Sequence, residues 1–340
     1  MLLKKLTEAS GVSSREDEIR KVIKDEIKEH VDNINTDVMG NLIVSKNINE
    51  NGPKLMLAAH MDEVGLMITA IEDNGLLKFR TAGGIDKRVL VSKSVVIGKE
   101  KIPGVIGSKA IHLQKPDERK KPIPIEKLYI DIGAENKKVA EDKVNIGDMA
   151  VFTTNFAKMG DNHARGKAFD DRIGCAAIIE LLKKDFPYPV YGVFAVQEEV
   201  GLRGAARAAY SIEPDLALVI EGTTASDVPE SDEYEYSTSL GCGPALTIMD
   251  SSLVANKKIL RGLINIAEKN DIPYQYRRSR AGGTDAGMIN LTKDGIPSAV
   301  VSQPCRYIHS PVSLINLEDF NNLLDLMENY MSQTVKEHSC

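Results

Sequence analysis

Tryptophan is absent from this 340-residue chain, and aromatic residues together make up 5% of it. The core must therefore be aliphatic, and stacking platforms for bases or sugars are scarce. Cysteine is equally thin. Cys175, Cys242, Cys305 and Cys340 lie far apart and form no CxxC pair, which argues against a disulfide framework. Cys340 is the last residue, whereas a prenylation signal carries its cysteine fourth from the end. No run approaches the roughly 18 apolar residues that a membrane span needs. The apolar start is too short for a secretory leader, and acids follow at once. An excess of basic charge is also missing: 43 Lys and Arg stand against 49 Asp and Glu, a net charge of −6. Such a chain repels phosphate unless its basic groups cluster. We expect a reduced, cytoplasmic protein with neither nucleic acid nor membrane as partner.

What is present is an ordinary globular composition, 42% hydrophobic and 27% charged, which excludes a disordered chain. The length suggests about two domains. Ser13 with Glu16 forms a capping-box pattern ahead of Ile19, Val22, Ile23 and Ile27 at helical spacing. Strand-like runs follow at 41–45 and 54–59, separated by the turn Asn51-Gly52-Pro53. From about Val64 to residue 165 the texture changes to short β-like runs with glycine breaks. Asp73-Asn74-Gly75 is a hairpin turn there, and Lys115–Lys121 reads as a solvated loop. From Asp170 the α/β rhythm returns. Helices are predicted at about 172–184, 204–210, 257–269 and 317–333, with strands at 190–196, 216–220 and 298–301. The fold class is α/β: a mostly parallel central sheet flanked by helices, interrupted by a small inserted β domain. The expected boundaries are 1–65 with 166–340 for the discontinuous α/β domain, and 66–165 for the insertion.

Three polar clusters follow buried strands: His60-Met61-Asp62-Glu63, Gln197-Glu198-Glu199, and Glu221. Ligands of open α/β sheets bind at the carboxyl ends of the strands, so the three would meet in one crevice. Paired acids there would repel each other unless a cation neutralised them. Polar loops after strands explain any one cluster, but explain three together poorly. Asp170-Asp171 opens a helix, where acids also serve as caps; Arg172 can neutralise one of them. His309, in Tyr307-Ile308-His309-Ser310-Pro311, follows the last strand and precedes a helix. It would supply a second imidazole to the carboxylate cluster.

The stretches HMDEVG, AFDDRIG, VQEEVGLRGA, VIEGTTASDVP, GGTDAG and RYIHSP occur in this order over residues 60–311. In that order they resemble the tetrahedral aminopeptidases, family forty-two of the metallopeptidases, which include glutamyl and leucyl aminopeptidases. The resemblance implies an α/β catalytic domain interrupted by a β-barrel-like domain used in assembly. It implies two divalent metal ions per subunit, zinc or cobalt, with manganese as a further option. Asp170 looks like the bridging carboxylate. His60 and Glu221 would complete one metal's ligands, and Glu199 and His309 the other's. Many members carry Asp where Glu221 stands here. Asp62 resembles the residue that orients the His60 imidazole. Glu198 resembles the general base, taking a proton from a metal-bridged water. Gly283, Thr284 and Asp285 would form a wall of the substrate site. Many members carry Glu at the position of Ser313.

The implied activity is removal of N-terminal residues from short peptides by a homo-oligomer, dimer to dodecamer, with 66–165 mediating subunit contacts. Some relatives of the family are labelled cellulase or endoglucanase, and two carboxylates can cleave glycosides. A deacylase on the same centre is a further alternative. Arg277, Arg278 and Arg280 read as a solvated basic loop; one facing inward would favour N-terminal Glu or Asp over Leu. His112 reads as structural or interfacial, His30 and His338 as exposed helix residues, and His163 stays ambiguous.

Overall fold

The alternation of apolar runs and amphipathic stretches becomes an α/β body with a separate barrel in a computed structural model that describes residues 1–333. His338 and Cys340 lie outside the described residues. In chain order the helices are α1 (Leu2–Glu8), α2 (Asp17–Ile27), α3 (Pro116–Arg119), α4 (Lys137–Glu141), α5 (Phe169–Leu182), α6 (Ala205–Ile212), α7 (Lys257–Lys269), α8 (Asp285–Asn290) and α9 (Leu317–Gln333). The strands before the second α/β stretch are β1 (Asn33–Thr36), β2 (Leu42–Lys46), β3 (Leu55–His60), β4 (Gly65–Ile71), β5 (Leu77–Ala82), β6 (Ser94–Ile97), β7 (Ile102–Gly107), β8 (Tyr129–Asp131) and β9 (Met149–Phe152). After them come β10 (Ala157–Met159), β11 (His163–Gly166), β12 (Val190–Ala195), β13 (Leu216–Thr224), β14 (Ala245–Thr247), β15 (Gln275–Arg277), β16 (Ser298–Arg306) and β17 (Ser313–Asn316).

The large sheet runs β1-β2-β12-β3-β13-β16-β17-β11-β10, with β14 and β15 attached at β16. Its four central strands, β12, β3, β13 and β16, are parallel. The flanking pairs along this order, β1 with β2 and β16 with β17 among them, are antiparallel, while the attached β14 and β15 pair in parallel. Burial on both faces explains the composition of the centre: every residue of β3 is buried, as a parallel strand covered by helices requires. Helix α5 packs on β13 and β3 and is itself buried along nearly its whole length.

Strands β4-β5-β8-β7-β6-β9 close into an antiparallel barrel with its own aliphatic core, including Leu66, Ile68, Leu77, Val95, Ile106 and Ile130. The expected hairpin joins β4 and β5. Gly75 has φ +83°, and a Cβ there would meet the Ala134 carbonyl oxygen at 2.5 Å, so the turn needs glycine on both counts.

The structure corrects several local expectations. Ser13 and Glu16 form no capping box: Ser13 donates its hydroxyl to Asp62 at 2.6 Å, and Glu16 accepts from the Ser14 N–H. The strand expected to end at Ile220 continues to Thr224, so Glu221 lies inside β13. A strand, β17, intervenes between His309 and the last helix. The 115–121 loop contains one exposed helical turn, α3.

Candidate metal centre

The site forms where the parallel strands end. His60 is the last residue of β3 and pairs in register with Ala195 of β12. Glu198 and Glu199 lie just beyond β12, and Glu221 stands on β13, which borders β3 on its other side. Asp170 enters from the start of α5, where the backbone of Asp170 and Asp171 is non-helical and the peptide between them is cis. Gly222 lets β13 come close; a Cβ there would lie 3.0 Å from Asp170 Oδ1.

Asp170 faces two imidazoles with its two oxygens. Oδ1 is 3.3 Å from His60 Nε2, and Oδ2 is 3.1 Å from His309 Nε2. Glu221 Oε1 lies 3.2 Å from His60 Nε2, and Glu199 Oε2 lies 3.5 Å from His309 Nε2. Glu198 is further out, its Oε2 3.9 Å from His60 Nε2. The donors of His60, Asp170 and Glu199 lie within 4.8 Å of one another, as do those of His60, Asp171 and Glu221. Sequence reasoning did not single out Asp171. It is fully buried, accepts from the Gly174 N–H at 2.9 Å, and keeps Oδ2 without a hydrogen bond. The doubled Asp-Asp was the available signal.

Asp62 lies behind His60. His60 Nδ1 lies 3.1 Å from the Asp62 carbonyl oxygen and 3.4 Å from Asp62 Oδ1. Asp285 is buried at the start of α8, and both its carboxylate oxygens lack a hydrogen-bond partner among the described residues. Beside it, the Thr284 N–H donates to Ser252 Oγ at 3.1 Å, and a Cβ on Gly283 would meet Ser252 at 3.0 Å. The loop after β5 also reaches the centre, because a Cβ on Gly83 would lie 3.3 Å from Glu199 Cβ, and one on Gly84 3.5 Å from His309 Nδ1.

Arg172 does not serve the Asp170-Asp171 pair. It lies fully buried and donates to Glu63 at 3.2 Å and to the carbonyls of Leu6 and Ala9. Lys167 Nζ reaches both Glu63 oxygens at 2.8 Å. Glu63 thus joins two buried cations, which secure the chain after α1. Removing one member would strand an unpaired buried charge, a loss of roughly 3–5 kcal/mol. Glu63→Gln should therefore lower the melting temperature clearly; an unchanged melting curve would contradict this ion network.

Of the arginines before α8, Arg277 is mostly buried and ion-pairs with Asp250 at 3.6 Å, Arg278 donates to the Glu233 carbonyl, and Arg280 is exposed. His30 and His112 are exposed, and His163 pairs with Asn316 in the sheet. Ser313 donates to the Gly166 carbonyl at 3.3 Å.

The electrostatics fit divalent cations. Burial, aided by neighbouring carboxylates, pushes Glu198 up to about 9 and both Glu199 and Glu221 up to about 8. Burial likewise takes Asp285 to about 8. Burial would lower both histidines, but the surrounding carboxylates outweigh it. His60 is therefore raised well above its ordinary value, and His309 to about 9. Asp170 goes the other way: its hydrogen bonds to His309 and His60 outweigh burial and hold it below the usual range. Without a cation the cluster balances its charge with protons; carboxylate and imidazole donors of this kind suit zinc, cobalt or manganese. Cation uptake must displace those protons. Affinity for zinc should rise with pH above 7, as the raised carboxyl and imidazolium groups lose their protons. Calorimetry in two buffers of different ionisation enthalpy at pH 7 should detect proton release, and its absence would contradict this electrostatic account.

Comparison with known proteins gives a consistent result. The M42 glutamyl aminopeptidase family matches residues 40–326. A putative aminopeptidase of Acetivibrio thermocellus is 43% identical over 328 residues, 96% of each chain. The lysyl aminopeptidase of Pyrococcus furiosus is 33% identical over 334 residues, 96% of this chain and 94% of its own. Among solved structures, a TET aminopeptidase from a marine-sediment Thaumarchaeota archaeon superposes with a TM-score of 0.95 at 37% identity, over 99% of this chain and 96% of its own. A Pyrococcus horikoshii peptidase, described as able to assemble into a tetrahedron or a large octahedral shell, gives 0.86 at 36%, over 97% and 98%. A Thermotoga maritima protein described as an endoglucanase gives 0.83 at 37%, over the whole of both chains.

Proposed function

The chain belongs to the M42 glutamyl aminopeptidase family, and from that premise we propose that it removes N-terminal residues from short peptides at a centre of two divalent cations. The observation that carries this reading is Asp170, whose two oxygens face two separate imidazoles at 3.3 and 3.1 Å. His60 and Glu221 would hold one ion with Asp170, and Glu199 and His309 the other. Such ions, when bound, polarise a scissile carbonyl and make water acidic enough to attack at neutral pH. Glu198 stands furthest from the imidazoles of these acids and stays free to work on the substrate. Its carboxylate takes the proton of the attacking water and delivers it to the leaving amine. Asp62 orients the His60 ring through Nδ1. Gly283, Thr284 and Asp285 line the substrate side.

Purified protein supplied with zinc, cobalt or manganese should cleave unblocked amino-acid anilides and lose that activity to a chelator. A panel of acidic, basic and aliphatic anilides would give the side-chain preference. N-acetylated anilides and cellulose should remain intact. Preference for the acylated substrates would replace this reading with a deacylase, and sugar release from cellulose with the glycosidase that one structural relative's description suggests.

The segment 66–165, which carries the barrel and, at its end, two strands of the large sheet, is proposed to mediate self-association. It exposes Val105, Ile111, Leu113 and Ile146, and one structural relative is described as able to assemble into a tetrahedron or a large octahedral shell. Light scattering at micromolar concentration should give a mass of at least a dimer; a monomer would contradict the assembly.

A further inference from the structure

The segment between α1 and α2 passes directly beneath the end of β3. Gly11 accepts from the Glu63 N–H at 2.9 Å and donates its own N–H to Glu63 Oε1 at 3.0 Å. Val12 pairs with Glu63 as an isolated parallel bridge. One residue on, Ser13 turns inward: it is 3% exposed and donates its hydroxyl to Asp62 Oδ2 at 2.6 Å. Asp62 is fully buried and accepts from three directions besides. Oδ1 takes the Glu198 N–H at 3.0 Å and faces His60 Nδ1 at 3.4 Å, while Oδ2 takes the Glu199 N–H at 3.2 Å. One carboxylate thus touches the ring of His60 and the backbone of both glutamates.

We propose that Ser13 is a positioning residue of the metal centre, fixing the Asp62 carboxylate so that His60, Glu198 and Glu199 are set together. The inference rests on the dinuclear reading above and extends it to the N-terminal segment. Ser13 Oγ is the shortest contact Asp62 makes, and it lies on the oxygen that does not face His60. That bond stops the carboxylate from turning about Cβ–Cγ and leaves Oδ1 directed at Nδ1. It also draws charge towards Oδ2, tempering the pull that Asp62 exerts on the imidazole. The segment does not need this hydroxyl to stay in place. The bonds between Gly11 and Glu63, and those from Arg172 and Lys167 to the Ala9 carbonyl, secure it independently. Removing the hydroxyl should therefore disturb the centre rather than the fold.

The experiment measures zinc affinity by competition with a chromophoric chelator on wild type, Ser13→Ala, Asp62→Asn and the double variant. Melting curves of the metal-free proteins are recorded in parallel. Loss of a partner behind a metal ligand typically weakens binding 10–100-fold. Ser13 acts one group further back, so about 10-fold is expected for Ser13→Ala. Its metal-free melting curve should stay close to that of wild type. In the Asp62→Asn background the added loss from Ser13→Ala should shrink to less than about 2-fold, because the two act through one path. Wild-type affinity in Ser13→Ala would overturn the proposal. An undiminished loss in the Asp62→Asn background would overturn it too, as would a drop in metal-free stability that accounts for the lost affinity. If wild type itself bound no zinc, the dinuclear reading would fail first, and the two failures are thereby distinguished.

Discussion

Glu198→Gln should yield a protein that keeps its full metal content and turns over on the order of 10²–10⁴ times more slowly. The substitution preserves shape and removes the proton acceptor. Glu198 and Glu199 are sequence neighbours, yet their side chains separate: Glu199 Oε2 lies 3.5 Å from His309, while Glu198 Oε2 lies 3.9 Å from His60. Their backbone N–H groups are both gripped by Asp62, which limits how far either can shift when the other is changed. Glu199→Gln exchanges an anionic donor for a neutral one, so it should lose metal and activity together. Glu198→Gln should lose activity alone, with near-normal binding of a substrate-like inhibitor. Metal analysis beside steady-state rates reads both. Wild-type turnover in Glu198→Gln would remove Glu198 from the mechanism.

Asp170→Ala should have the larger effect on metal. Among the described residues, Asp170 is the one carboxylate within hydrogen-bonding distance of both His60 and His309. Its removal withdraws a donor from both proposed ion positions and the negative charge that both imidazoles share. Affinity should fall by more than the roughly 10–100-fold typical of changes behind a ligand, for both ions at once, and cleavage should fall to background. Inductively coupled plasma analysis after dialysis against trace zinc gives the stoichiometry. Retention of two ions per chain by Asp170→Ala would contradict a shared carboxylate.

The parallel centre of the sheet was legible because β3, β12 and the first part of β13 are buried, mostly apolar runs with His60, Glu198-Glu199 and Glu221 at or shortly after them, a pattern that strands covered on both faces produce. The inserted β domain was legible from its glycine spacing and the Asp73-Asn74-Gly75 turn, whereas its barrel form was implied only by the family resemblance. What stayed hidden were contacts between residues far apart in sequence. Ser13 carries a local capping pattern, and only the chain's passage beneath β3 redirects its hydroxyl to Asp62. Arg172 sits two residues from Asp170, but its long side chain reaches back to Glu63 and the α1 carbonyls instead. Glu221 reads as lying just past a strand because polar residues usually end strands, whereas β13 continues for three more residues past it. Gly83 and Gly84 read as strand breaks and instead lie against Glu199 and His309. In each case a tertiary approach overrode a local preference.

In the proposed centre, two cations held by His60, Asp170, Glu199, Glu221 and His309 are what give this chain aminopeptidase activity. Titrating metal-depleted protein with zinc or cobalt while following cleavage of an unblocked amino-acid anilide tests it most directly. Cleavage should be negligible at the start and recover fully only when two equivalents per chain have bound. Full activity in the metal-depleted protein, or a plateau at one equivalent with no second ion bound, would contradict it.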